Sequence, residues 1–117
     1  RDFAVPCQNV IYADTAGNIG YRACGVVPVR RDGKGYLPYR GWTRDGDWIG
    51  SIPFEEMPHA FHPPQNFIAT ANNRMVAKNY PYYLSIGWEP TSRVERITEM
   101  ITSREKLAPR DFQNMHT

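Results

Sequence analysis

Short apolar runs separated by glycine, proline, asparagine and aspartate make up the first 75 residues of the chain. Residues 10–13 and 19–23 are two such runs, rich in β-branched and aromatic side chains, and a turn-forming stretch of Asp, Thr, Ala, Gly and Asn joins them. This arrangement predicts a β-hairpin. Asp14 begins the turn, where an aspartate usually bonds the backbone two residues on, so we expect its role to be structural.

Residues 30–52 are interrupted by five glycines, which predicts an irregular loop with short strands. The four large aromatic residues of this stretch are expected to pack as a local cluster or to line a cleft: Tyr36, Tyr39, Trp42 and Trp48. Asp45 and Asp47 lie in the same loop, beside glycines and an arginine. Paired carboxylates serve as acid and base only where burial separates their pKa values, so we interpret these two as solvated turn residues.

A proline-bounded connector follows, and it is expected to contain one short helical turn at residues 55–57. His59 and His62 have a spacing that binds metal on a helix, but the prolines around them exclude a long helix and no third ligand is evident. We therefore predict no metal site and no cofactor. Residues 66–71 then have the apolar pattern of a strand that ends at an Asn-Asn pair.

The spacing of the apolar residues changes from strand-like to helical near residue 91. Three residues recur on one helical face: Val94, Ile97 and Ile101. They predict an amphipathic helix near residues 91–103, and Ser92 with Glu95 forms the pattern of a capping box at its start. Pro109 suits the first position of a helix and predicts a second helix there.

Asn72, Asn73 and Arg93 are the candidate functional residues, and each has two interpretations. Asparagine is common where a strand stops, because its amide bonds nearby backbone and it tolerates a left-handed conformation. A side-chain amide held at the end of a rigid strand is also a fixed donor of the kind that stabilises an oxyanion. Arg93 lies in the first turn of the predicted helix, where a cation opposes the helix dipole, although exposed arginines are common at such positions.

Composition favours one modest domain with strands joined by turns. The 117 residues are 41% hydrophobic and 13% aromatic, with ten Pro and nine Gly. We therefore predict an α+β fold, antiparallel and β-rich over residues 1–75, then changing from strand and loop to helix over 76–117. A formal charge of +2 with scattered basic residues predicts no nucleic-acid partner, and no apolar run is long enough to predict a membrane span.

The cysteines and the chain ends add two further expectations. Cys7 and Cys24 flank the predicted hairpin, on neighbouring strands and diagonally offset. A disulfide is compatible with an exported protein, but two buried free thiols are the expected state. The chain begins with Arg1 and stops within the second predicted helix, so we expect a single segment cut from a longer protein.

Four phrases in order resemble the β-chain middle region of the penicillin acylases, also called penicillin amidases: "YADTAGNIGY", "GW…W.G.IPFEEMP", "PP.NFIATANNR" and "NYPYYLSIGWEP..R…I". The resemblance covers nearly the whole chain. It implies an N-terminal-nucleophile hydrolase with an αββα core, in which a precursor cleaves itself to expose a serine whose own α-amino group is the base. Asn72 matches the family's oxyanion-hole amide, and Arg93 matches an arginine that organises the surroundings of the nucleophile.

The resemblance also implies partners and a location. The partners are the α chain and the rest of the β chain of the same precursor, and the substrate is a small molecule with a linear or cyclic amide (N-acyl) bond. The location is periplasmic or secreted. Family members often carry a calcium-binding aspartate after the Tyr-Pro pair, but Tyr82, Tyr83 and Leu84 stand there without a carboxylate, so the resemblance does not extend to calcium.

Two alternatives to a working enzyme remain. None of the serines is N-terminal, so the isolated chain is expected to be inactive as an amidase. The hairpin phrase alone also resembles a turn of propeller blades, which would make the chain a non-catalytic β-rich structural or binding module, but a propeller would repeat that phrase and this chain contains it once.

Overall fold

The computed structural model describes residues 2–116 and divides them into two compact units. One unit contains residues 2–68 and Met75–Gly87, and it holds the strands. The other contains Ala69–Arg74 and residues 88–116, and it holds the helices. All strand pairs are antiparallel, so the predicted α+β class with antiparallel strands is confirmed within the described residues.

Three strands form the first sheet: β1 (Gln8–Ala13), β2 (Ile19–Cys24) and β5 (His59–Phe61), in the order β1-β2-β5. The predicted hairpin is confirmed as the β1–β2 pair, with Tyr12 opposite Gly20 next to the turn. The central strand of the sheet, β2, contains the buried Tyr21, while every residue of β1 is exposed.

The Asp14 carboxylate holds the β1–β2 turn together. One carboxylate oxygen accepts the backbone N–H groups of Ala16 and Asn18, both at 2.9 Å. The other accepts the Tyr12 hydroxyl and the Asn18 side-chain amide, both at 2.7 Å. These bonds, led by the Asn18 amide, lower the pKa of Asp14 to about 2. The structural role predicted for Asp14 is confirmed.

The second sheet pairs β3 (Pro28–Arg30) with β4 (Trp48–Ser51), with an irregularity between Val29 and Arg30. The predicted loop with short strands is confirmed. Asp45 is exposed, and Asp47 accepts a hydrogen bond from exposed Arg44 at 2.9 Å, as expected for solvated turn residues.

The four aromatic residues of this loop do not pack as a cluster, which was one of the two predicted arrangements. All four are exposed, with fractions of 54%, 40%, 82% and 63% for Tyr36, Tyr39, Trp42 and Trp48. Tyr36 lines a cavity, as the other predicted arrangement has it. Glycines and a cation take the place of aromatic neighbours. Tyr39 packs closely on Gly33 and Gly46, and the Arg30 guanidinium lies 5.7 Å from the centre of the Trp48 ring.

The connector after the second sheet contains an unpredicted strand, whereas the run after it lacks a predicted one. The expected short helical turn is present as a 3-10 turn, Phe54–Glu56. β5 follows it, because a segment of three residues is long enough to pair with the free edge of β2. Residues 66–71 form no strand, because their backbone finds no ladder partner among the described residues. There the Ala71 N–H donates to the Asn73 side chain instead.

The second unit contains α1 (Ser92–Thr102) and α2 (Pro109–Asn114), so both predicted helices are confirmed. The predicted capping box at Ser92 and Glu95 is wrong. Thr91 already has helical dihedral angles and is the N-cap, without a side-chain cap bond, so Ser92 is the first helical residue. Within the described chain, neither helix has the length and apolar character that crossing a bilayer requires.

Cys7 and Cys24 are free thiols, as expected, but they are not buried. Cys7 is exposed and Cys24 half-buried. Gln8 pairs with Cys24, and Cys7 lies just before β1, outside the ladder. β1 is an edge strand whose residues are all exposed, and Cys7 is exposed as well.

Candidate functional site

Asn72 occupies a left-handed turn in the second unit, with φ of 62°. Few residue types other than glycine accept this conformation, and asparagine is one of them. The Asn72 carbonyl accepts the Glu89 backbone N–H at 3.1 Å, which ties the turn to the segment before α1. Backbone conformation alone is therefore a sufficient reason for an asparagine here.

The Asn73 side chain stabilises the same turn from within. Its Oδ1 accepts the Ala71 backbone N–H at 3.0 Å, and its Nδ2 donates to the Arg74 carbonyl at 3.3 Å. Ala71 itself is only 4% exposed, so the turn is anchored on a buried residue. Asn73 thus performs the backbone bonding expected of an asparagine at a turn.

The side chain of Asn72 is used differently from that of Asn73. It is exposed, and its amide makes no hydrogen bond to the described residues. Turn chemistry therefore explains the Asn73 side chain and the Asn72 backbone, but leaves the Asn72 amide without an assigned partner. Residue type alone does not show this distinction, because both roles suit asparagine.

Arg93 is the second residue of α1, and the structure brings it next to the asparagine turn. Its Nη1 donates to the Ala71 carbonyl at 3.5 Å, at the long limit for a hydrogen bond. Arg93 makes no ion pair within the described chain, although its position at the helix N-terminus is unfavourable for a cation. The guanidinium therefore adds positive charge beside Ala71, one residue before Asn72.

The described residues supply a donor and a cation but no activated nucleophile. Ser85 and Ser103 donate to backbone carbonyls. Across residues 2–116, no serine hydroxyl bonds a histidine or lysine that would take its proton. Both cysteine thiols likewise lie against backbone carbonyls. An amide donor and a guanidinium are groups that can stabilise negative charge.

The three residues after the Tyr-Pro pair, 82–84, carry no carboxylate that could bind a calcium ion. Calcium takes six to eight oxygen ligands. Here the Glu56 carboxylate accepts the Tyr82 hydroxyl at 2.6 Å, which raises the pKa of Tyr82, and the Lys34 ammonium lies 5.2 Å from the Tyr83 ring centre. Among residues 2–116, no three His, Cys, Asp or Glu side chains cluster as metal ligands.

The two histidines considered as metal ligands have other partners. His59 Nδ1 lies 2.8 Å from the Met57 carbonyl, and His62 Nε2 lies 2.7 Å from the Asn18 side-chain oxygen. Glu89 and Ala71 contribute to the site although the sequence did not indicate them. Both act through backbone groups, and a backbone contact leaves no signal in side-chain identity.

Comparisons with known proteins agree on one family. The penicillin amidase family model matches residues 1–117. The chain is 40% identical over 116 residues to penicillin acylase 2 proenzyme of Pseudomonas sp. (strain SE83), covering 99% of this chain and 15% of that protein. It is 38% identical over 103 residues to acyl-homoserine lactone acylase QuiP of Pseudomonas fluorescens, covering 88% of this chain and 13% of that protein.

A solved structure is similar as well. The thermostable penicillin G acylase from Alcaligenes faecalis superposes with a TM-score of 0.68 at 26% identity, covering 96% of this chain and 20% of that one. The chain thus spans about a seventh of the length of the curated relatives it matches. Since the family model accounts for the full length of the sequence, the chain belongs to the penicillin amidase family.

Proposed function

We propose that the complete protein is an acylase that hydrolyses a linear or cyclic amide (N-acyl) bond of a small substrate, and that this chain supplies its oxyanion donor, Asn72. Membership of a family whose similar members are penicillin and acyl-homoserine lactone acylases supports the reaction class. The proposed role of Asn72 rests on its exposed side-chain amide, which has no partner in the described chain. The turn that contains this amide is stabilised by hydrogen bonds of Glu89 and Asn73.

The proposed reaction begins with an N-terminal serine outside this chain, whose α-amino group takes the hydroxyl proton. The serine oxygen bonds to the amide carbon, and the electron pair of the carbonyl moves to its oxygen. Asn72 Nδ2–H donates to that oxyanion. When the C–N bond breaks, the leaving nitrogen receives the proton held by the α-amino group. Water then hydrolyses the acyl-enzyme by the same steps and releases a carboxylic acid.

A neutral donor suits this role better than a cation would. The α-amino group must be unprotonated to act as a base, and a cation in direct contact would lower its pKa and its basicity. Arg93 acts in the proposal as a positioning residue, because its guanidinium contacts the carbonyl preceding Asn72 rather than the reacting atoms. A fixed amide also needs no reorganisation as charge develops.

The rest of the same precursor, its α chain and the remaining β chain, is the proposed partner. It would complete an αββα core and cover Asn72, since an oxyanion donor is effective only where water is excluded. The shortness of the chain relative to its relatives supports this. The proposed periplasmic or secreted location follows from the family resemblance alone.

Replacing Asn72 by glycine in the complete protein tests the proposal. Glycine accepts the left-handed backbone, so Asn72→Gly removes the amide while keeping the turn. We expect kcat to fall about 10²–10³-fold, equivalent to about 3–4 kcal/mol, with a much smaller change in KM. Steady-state hydrolysis of a chromogenic phenylacetyl amide measures both parameters.

Asn66→Gly is the matched control. Asn66 is an exposed asparagine that also has a positive φ, 58°, and lies in the other unit. We expect its replacement to leave kcat unchanged. Equal effects of the two substitutions, or full activity of correctly processed Asn72→Gly, would make Asn72 a turn residue only. A complete protein without amidase activity would favour the non-catalytic structural or binding module.

A further inference from the structure

A cavity of about 370 Å³ lies in the strand-containing unit. Its size is typical of sites for small organic ligands. One wall is apolar and is formed by Val27, Pro28, Leu84 and Ile86. The cavity therefore has room and surface for a compact apolar group.

Two cations line the same cavity, and no carboxylate does. They are Arg30, at the end of β3, and Lys34, in the following loop. Neither forms a salt bridge within the described chain. Two uncompensated positive charges against an apolar wall create a potential that favours an anion.

The guanidinium of Arg30 is held in place from two sides. It lies 5.7 Å from the centre of the Trp48 ring. On its other side is Gly35, at a φ of 76°, where a Cβ would lie 2.6 Å from Arg30 Nε. The Arg30 side chain therefore lies directly against the Gly35 backbone. Its planar guanidinium presents two N–H donors in the geometry that a carboxylate accepts.

The Tyr83 hydroxyl supplies a third, independent observation. It is buried and has no hydrogen-bond partner among the described residues. Tyr83 lines the cavity, and the Lys34 ammonium lies 5.2 Å from the centre of its ring. A buried hydroxyl without a partner is destabilising, so an acceptor bound here would satisfy it.

We propose that this cavity binds a small monocarboxylic acid with an apolar body. Arg30 and Lys34 compensate the charge of the carboxylate, the Tyr83 hydroxyl donates to one of its oxygens, and the Val27 and Leu84 side chains contact its apolar part. A phosphate would satisfy the cations but leave the apolar wall unused. This inference does not depend on the proposed amide hydrolysis.

Calorimetric titration of the complete protein with octanoate tests the proposal, with octanamide as the uncharged match. We expect octanoate to bind at least about tenfold more tightly, the usual effect of a charged hydrogen-bonding group. Equal binding of the two probes, or no binding of octanoate, overturns the proposal. This comparison needs no variant and is independent of folding defects.

Substitutions then locate the octanoate site. Lys34→Gln is expected to weaken octanoate binding about tenfold, whereas Arg31→Gln, an exposed neighbour that does not line the cavity, leaves it unchanged. Tyr83→Phe is expected to weaken binding about threefold or more without lowering the Tm of the free protein, because its hydroxyl has no partner there.

Two results would assign the cavity otherwise. If octanoate binds wild type and Lys34→Gln equally, its site is elsewhere, for instance in an acyl pocket, and the proposal is overturned. If octanoate does not bind while Lys34→Gln lowers the Tm, a carboxylate of the protein's own remaining polypeptide fills the cavity, and the proposal of a free ligand is again overturned.

Discussion

In the proposed function, Asn72 meets two demands that few residues meet together, a left-handed backbone and a neutral side-chain donor. Glycine would satisfy only the first demand. The adjacent Asn73 meets a third, because its side chain bonds both the Ala71 N–H and the Arg74 carbonyl. The family resemblance singled out Asn72, whereas the residue types alone did not divide the roles of the pair. The division depends on which amide finds a backbone partner, and residue identity does not encode that.

Arg93 is expected to affect catalysis through the Ala71 carbonyl that it contacts. In the complete protein, Arg93→Gln should lower kcat about tenfold, the lower end for a hydrogen bond to a charged group, because this contact is long and Arg93 is exposed. KM and Tm should change little. Arg96→Gln is the control, since Arg96 lies on the same helix and pairs with Glu99 on the surface.

The kinetic parameters decide between positioning and a surface role for Arg93. A surface role predicts the same kcat for the two variants, and that result would remove Arg93 from the site. A purely stabilising role predicts a lower Tm with unchanged kcat per folded molecule.

At the scale of elements, the sequence predicted those structures that depend on residues close together along the chain. The β1–β2 hairpin and both helices followed from turn residues and apolar spacing. β5 and the missing strand at residues 66–71 did not, because a strand exists only with a partner and pairing is non-local. The N-cap at Thr91 differs from the predicted capping box by one residue, a shift that local patterns rarely resolve.

The β1–β2 turn should confer acid sensitivity. The pKa of Asp14 is lowered from 3.8 to about 2 in the folded chain, chiefly by the Asn18 amide and the Tyr12 hydroxyl. A lowered pKa means that the unfolded chain binds the proton more readily. The stabilisation is therefore complete above about pH 4 and is lost as pH falls through about 2. Asp14→Asn cannot titrate and should lack this component.

Urea midpoints measured between pH 5 and 1.5 check the acid sensitivity. The difference between wild type and Asp14→Asn should be constant above pH 4 and should decrease steadily below it. Parallel curves over the whole range would show that the carboxylate gains nothing from its four hydrogen bonds in the folded hairpin.

At the scale of the whole chain, apolar side chains outnumber what the described residues bury. The buried hydrophobic residues of the described chain are Tyr21, Ile52, Met57 and Ala71, and many large apolar side chains, including Ile11, Trp42 and Ile86, are exposed. The spacing of apolar residues in the sequence does not show what covers these side chains. The penicillin acylase 2 proenzyme that the chain matches is about seven times longer.

The isolated chain is therefore expected to show no amidase activity and to bind a hydrophobic dye such as anilinonaphthalene sulfonate, which reports exposed apolar surface. Asn72 is open to solvent, where a single amide donor competes with water and contributes little to oxyanion stabilisation. No serine of the described residues has a base in contact.

The test compares hydrolysis of a phenylacetyl amide by the chain, by its Asn72→Gly variant and by the complete protein. Turnover by the chain that survives Asn72→Gly would place the site elsewhere, and turnover that Asn72→Gly abolishes would show that the chain alone contains a working nucleophile.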